Sequence, residues 1–200
     1  MGTTVNFMLG AKDGLESIII KSMPQFKDWY KRCYEEYPSD FDPGILELSD
    51  QILSAGRNVF DVNEPKSAKQ VDKLVDLFVG DFCDYGGGRK LLNYVHTNVM
   101  KVHHYYKDLE HFDKTSTAFL FWNFILEGRP LSRNEEIYPY KPSGVVLRVS
   151  YVTLDEVQKL KHEFENMNFF GDRNSIAFVS ANEAINNAYE ANTGLVMTVA

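Results

Sequence analysis

The sequence predicts an α+β fold: one domain over 1–200, with a small mixed or antiparallel sheet packed against a helical majority. Three observations carry that expectation. Apolar residues recur at spacings of three and four along most of the chain, which is the period of an amphipathic helix. Two β-branched runs, TTVNFML (3–9) and GVVLRVSYV (144–152), read instead as strands. The order is one strand, many helices, then strands alternating with helices, as in an α+β domain with a small sheet.

After the first strand, LESIIIKSM (15–23) forms a short helix that Pro24 ends. Proline is also favoured at a helix start, so a second helix takes 24–37, with Phe26, Trp29, Tyr30, Cys33 and Tyr37 along one side. PSDFDPG is a loop. The helix at 44–55 turns Ile45, Leu48, Ile52 and Leu53 inward and stops at Gly56. Residues 57–66 are irregular. From Ser67 a strong helix carries Val71, Leu74, Val75, Phe78, Val79 and Phe82. Gly86, Gly87 and Gly88 break it, letting the chain reverse through positive φ. A histidine-bearing helix follows over about 89–112.

STAFLFWNFILEG is apolar nearly all round, the mark of a buried helix over 115–127 that Gly128 ends. Beyond a polar, proline-bearing loop (129–143) and the strand 144–152, Thr153 and Glu156 form a capping box for a helix over 154–167. SIAFV (175–179) is expected as a third strand, and Ser180 with Glu183 as a second capping box for 181–192. Gly194 turns the chain into a last strand, 195–199.

Composition narrows the function classes. A net charge of −7 argues against nucleic acid, because phosphate binding needs a basic surface. Basic blocks that would hold an anionic membrane surface are missing too. No apolar run approaches the ~20 residues needed to span a bilayer. The first residues lack a signal-peptide pattern, and Asn6 breaks the myristoylation motif. Cys33 and Cys83 fall among apolar residues at helical spacing, as buried reduced thiols do in a cytoplasmic protein.

The stretch LLNYVHTNVMKVHHYYKDLEHFDK invites a chemical reading, since it holds four of the five histidines. On a helix with His96 at 0°, His103 falls at about −20°, His104 at about 80° and His111 at about 60°. Leu92, Val95, Val99, Val102, Tyr106 and Leu109 form the inward face, and the histidines a stripe beside it, with His103 nearest the apolar side and partly buried. Histidines seven residues apart are separated by about 10 Å of rise, too far to share an ion with bonds of about 2 Å. His103 and His104 diverge by about 100°. No metal site is therefore expected, and a solvated or interface face is. Glycines before Arg89 and Lys90 offer a phosphate cradle, although the Walker pattern is absent. SDFDPG fails the calcium-loop spacing, because Gln51 stands where the twelfth-position Glu belongs. The loop 134–142 sets Glu135 and Glu136 beside Tyr138 and Tyr140, which suits a partner surface more than a carboxylate pair for acid-base work. Asn123 reads as a satisfied core amide, and no nucleophile or cofactor motif is present.

Three blocks in order, FDKTSTAFLFWNFILEGRPLS, YVTLDEVQKLKHEF and AINNAYEANTGLVMTV, resemble the YfbM-like family of uncharacterised bacterial proteins. The likeness covers about a third of the chain. At 116–118 Ser-Thr-Ala replaces the family's usual Trp-His, and the helical first half is longer. The resemblance implies an α+β fold and a bacterial or phage cytoplasmic setting, with no established activity.

The leading expectation is a cytoplasmic, non-enzymatic protein-binding module of the immunity or inhibitor type, using Tyr138, Tyr140, Glu135, Glu136 and His111. It needs no cofactor and binds neither nucleic acid nor membrane. The competing expectation is a small hydrolase or transferase acting on a phosphorylated or nucleotide substrate. Arg89 and Lys90 would then bind the anion, and His96, His103 or His104 would act as base.

Overall fold

The computed structural model describes residues 4–10, 14–61, 65–88, 90–95, 100–129, 148–166 and 171–199. Along the chain run β1 (Thr4–Leu9), α1 (Leu15–Glu36), α2 (Pro43–Ala55) and a 3-10 turn (Gly56–Phe60). Next come α3 (Pro65–Asp76), passing directly into a π turn (Leu77–Phe82), β2 (Asn93–Tyr94) and β3 (Met100–Lys101). The remainder is α4 (His103–Leu109), α5 (Thr117–Glu127), β4 (Arg148–Val152), α6 (Leu154–Asn166), α7 (Ile176–Glu190) and β5 (Leu195–Val199). This is the expected α+β fold with a helical majority and a small antiparallel sheet. No helix among the described residues is long and apolar enough to cross a membrane. The residues gather into two compact units, one holding the sheet and α4–α7, the other spanning Glu16–Leu92.

In the sheet unit, β5 lies between β1 and β4, antiparallel to both, with Phe7 opposite Met197 and Ser150 also opposite Met197. β2 and β3 share the far edge of β1, where Met8 faces Tyr94 and Val5 faces Met100. Every residue of β5 is buried, as its unbroken LVMTV run requires of a strand covered on both faces. One face carries Val5, Phe7, Leu195, Met197, Val199 and Val152 into a core shared with α5, α6 and α7. Trp122 is the centre of that core, its ring against Tyr105, Phe112, Phe121, Phe164 and Phe178.

Several polar groups around this core are paired. Ser116 caps α5 by accepting from Phe119 N at 3.0 Å. The Glu163 carboxylate accepts from Thr117 N and Ala118 N at 3.1 and 2.7 Å, placing negative charge at a helix start. Ser150 donates to Phe124 O at 2.8 Å, and the half-buried Asn123 donates from Nδ2 to Phe119 O at 3.0 Å. The Thr153–Glu156 capping box forms as read, with Glu156 accepting from Thr153 N at 2.9 Å. Arg129 adds a 2.7 Å ion pair to Glu156 while its guanidinium lies 4.8 and 4.9 Å from the Phe124 and Tyr151 rings.

In the second unit, Phe26 meets Trp29, Tyr30, Phe78 and Phe82, so α1 and the π turn share an aromatic core. Asp42 ties three helices together. It caps α2 by accepting from Gly44 N at 2.9 Å, pairs with Lys73 of α3 at 3.1 Å, and its backbone bonds the Tyr30 hydroxyl of α1. The expected inward set Val71, Leu74, Val75, Phe78, Val79 and Phe82 is buried throughout.

Several expectations are corrected. Residues 15–36 form one helix with Pro24 inside it, because burying Ile19, Met23, Phe26 and Tyr30 along one face outweighs the lost backbone bond. Leu53 is exposed. Residues 176–179 are the first turn of α7 and not a strand: Ser175 caps the helix by accepting from Phe178 N at 3.1 Å. Ser180, read as a cap, is buried within that helix. Ala177, Phe178, Ala181, Ala184, Ile185 and Ala188 are buried at helical spacing, so the apolar period extends back past Ser180.

Tyr105 is fully buried, yet among the described residues its hydroxyl finds no hydrogen-bond partner. A buried polar atom without a partner costs roughly 1–3 kcal/mol. Tyr105→Phe is therefore expected to raise stability by about 1 kcal/mol in urea unfolding, with unchanged m-value. A loss of 1 kcal/mol or more would show that the hydroxyl is bonded in solution.

Candidate functional site

The histidine segment does not form the expected helix over 89–112. Residues 93–94 and 100–101 are edge strands on β1, and the helix begins only at His103. The free edge of β1 must be hydrogen-bonded, and Val95 N, for example, donates to Phe7 O at 2.9 Å. That demand overrides a local pattern with helical spacing. Five residues separate Tyr94 from Met100, whereas two separate their partners Met8 and Val5. His96 and Arg89 lie outside the described residues.

The inward face of α4 is also different. Tyr105 and Asp108 are buried, while Tyr106, expected inward, is 50% exposed. Tyr105 O accepts from Trp122 Nε1 at 2.9 Å, and Asp108 accepts from Ser175 Oγ at 2.6 Å, which together fix the rotation of the helix. The outward face then carries His103, Tyr106, Lys107 and Glu110, all exposed at spacings of three and four.

His103, expected to be partly buried, is exposed, and its ring centroid lies 4.1 Å from that of His104. The two rings meet at 33° rather than diverging, so the short helix start brings together side chains that ideal geometry separates. Partial desolvation, then His104, Lys107 and Lys101, hold the His103 pKa below 6.5. His111 is half-buried beside Glu110, at 3.9 Å. Among the described residues no three of His, Cys, Asp and Glu are grouped to hold a metal ion.

The glycine turn stands differently too. Lys90 is exposed in a turn, and no helix begins there to lend it an anion-binding terminus. None of Gly86, Gly87 and Gly88 has positive φ. Their role is close approach: a Cβ on Gly86 or Gly88 would lie 2.8 Å from the Phe82 ring, whereas one on Gly87 would lie 3.6 Å away. The π turn creates this contact, with Cys83 N donating to Phe78 O and Gly86 N to Asp81 O, each five residues back. Gly86→Ala and Gly88→Ala should each cost about 1–3 kcal/mol in chemical denaturation, and Gly87→Ala under about 1 kcal/mol. Equal costs at all three would remove the Phe82 explanation.

One group escaped the sequence reading. Asp72, Asp76 and Asp81 stand on successive turns of α3 and the π turn, and Asp72 is buried. An ordinary helix would place residue 80 in line with 76, and the wider π turn brings residue 81 there instead. The i, i+4 pair at 72 and 76 was visible in the sequence; the added residue of the π turn was not. Burial first, then the Asp72 and Asp81 carboxyls, push the Asp76 pKa from 3.8 to about 8. Asp81, although its side chain reaches solvent, is raised as well, by partial desolvation and then by the Asp84 carboxylate.

Asp76 thus holds its proton more tightly folded than unfolded. Its contribution is complete below about pH 4, is lost as pH rises to about 8, and is level above that. Asp76→Asn should match the parent near pH 4 and exceed it increasingly up to about pH 8, by a few kcal/mol, read as a growing gap in Tm. A gap independent of pH would contradict the raised pKa.

Glu135, Glu136, Tyr138 and Tyr140 lie outside the described residues. No family model, curated protein or solved structure matches the chain. The outward face of α4 with Lys101 is the best-defined candidate site.

Proposed function

We propose that the chain is a non-enzymatic protein-binding module, of the immunity or inhibitor type, that uses the outward face of α4. The observation that carries this reading is Tyr106, half exposed on a helix whose neighbouring residues Tyr105 and Asp108 are locked into the core. A rigid helix presenting an aromatic side chain flanked by His103, Lys107 and Glu110 has the make-up of an interface anchor with a polar rim. His111, one turn further on, extends the same surface. The loop 134–142, with Glu135, Glu136, Tyr138 and Tyr140, is proposed on its acidic and aromatic sequence alone as a second partner-contacting segment. The likeness to the YfbM-like family is likewise proposed, and adds a bacterial or phage cytoplasmic setting without an activity.

The reading is tested by affinity capture from native lysate with quantitative mass spectrometry. A stoichiometric protein partner should be retained by the parent and by Tyr189→Ala, an exposed tyrosine on α7. Tyr106→Ala should weaken its retention by roughly tenfold or more. A chain that retains no protein and co-purifies with a nucleotide would overturn the reading. It would favour the hydrolase or transferase, with Lys90 and Arg89 on the anion and His96, His103 or His104 as base.

A further inference from the structure

Cations gather at one end of the α4 face. Lys101 ends β3, and His103, His104 and Lys107 follow on α4. Lys101, His103 and Lys107 are exposed and His104 is half-buried. The charges that reach His103 are those of His104, Lys107 and Lys101, all of one sign. Among the described residues, none of the four forms an ion pair with a carboxylate. Of the nearby acids, Asp108 turns inward to Ser175 Oγ, and Glu110, just past the end of α4 on the same outward face, lies 3.9 Å from His111. α5 and α7 pack against α4. α5 brings no described charged side chain, and the α7 acids Glu183 and Glu190 are not among the groups acting on His103.

A chain of net charge −7 has carboxylates to spare, so an uncompensated cationic cluster on it is notable. Two lysine charges rise to as many as four when both histidines protonate, and their mutual repulsion is relieved by an anion from outside. We propose that Lys101, His103, His104 and Lys107 dock a short run of carboxylates on a partner protein, more tightly as pH falls through the histidine range. The proposal rests on the protein-binding reading of the same face and names the chemistry of the partner. A long polyanion such as nucleic acid fits less well, since the surrounding negative field repels it beyond a patch of this size. Tyr106, one turn from His103, supplies the apolar contact that a peptide side chain can use and a free anion cannot.

Binding and protonation are linked in both directions. A carboxylate run favours the charged form of an imidazole, so docking takes up protons and lower pH strengthens it. The lysines supply attraction that does not vary across this range, and the histidines supply the part that does.

The test uses the full chain with a fluorescein-labelled hexa-aspartate peptide followed by anisotropy at low salt, at about pH 6 and about pH 7.8. Affinity should be roughly three- to tenfold higher at the lower pH. Lys101→Glu with Lys107→Glu should abolish binding at both pH values. His103→Gln with His104→Gln should keep the affinity seen near pH 7.8 and lose the gain at lower pH. Absence of peptide binding, binding indifferent to the lysine reversal, or tighter binding of a single-stranded oligonucleotide of equal charge would each overturn the proposal. If the peptide fails while a protein partner is captured through Tyr106, the acidic chemistry falls and the protein-binding reading stands. If both fail, both fall.

Discussion

Everything in the sheet unit depends on the pairing of β1 with β5. Residues 4–9 and 195–199 come from opposite ends of the described chain, and five backbone partners hold them in antiparallel register. Closing so long a loop costs conformational entropy, though the cost grows only slowly with length. It is offset by burying both faces of β5 and by seating Phe7 and Met197 over the Trp122 core. Once β1 is held on one side, its other edge exposes unpaired backbone groups. The chain supplies β2 and β3 to cover them, and the histidine segment therefore becomes strand, then a short helix.

That sequence of constraints explains the candidate site. α4 is seven residues long and could not stand alone in water. It is held by Tyr105, whose carbonyl takes the Trp122 indole, and by Asp108, which takes the Ser175 hydroxyl from the start of α7. With those two residues committed inward, His103, Tyr106, Lys107 and Glu110 have only solvent to face. The surface is thus a by-product of how the core fixes the helix, which gives it the rigidity that a binding face uses.

In the second unit the π turn has the comparable role. One extra residue per turn at 77–82 keeps Phe78, Val79 and Phe82 all buried and lays Phe82 against Gly86 and Gly88. The same extra residue swings Asp81 toward Asp76, so packing and electrostatics there share one cause. Glycines that look like a phosphate loop in the sequence serve instead as the flat surface on which an aromatic ring rests.

By itself the sequence determined the helical majority, β1, β4 and β5, the helix read over 115–127 that forms over 117–127 with Leu120 exposed, the Thr153–Glu156 capping box and the apolar faces of α2 and α3 apart from Leu53. These are set by local propensity, by hydrophobic period and by caps whose partners lie within four residues. Even the start of α7 was legible, since Ala177 and Phe178 belong to the period running to Ala188, but the β-branched look of SIAFV concealed it. Tertiary structure alone decided the rest. Continuation of α1 through Pro24 depends on the aromatic core it joins, and the strands at 93–94 and 100–101 on an edge far away in sequence. The exchange of Tyr106 for Tyr105 depends on a bond from Trp122, and the meeting of His103 with His104 on a helix that starts late. In each case the deciding partner lies many residues away, where no local period can register it.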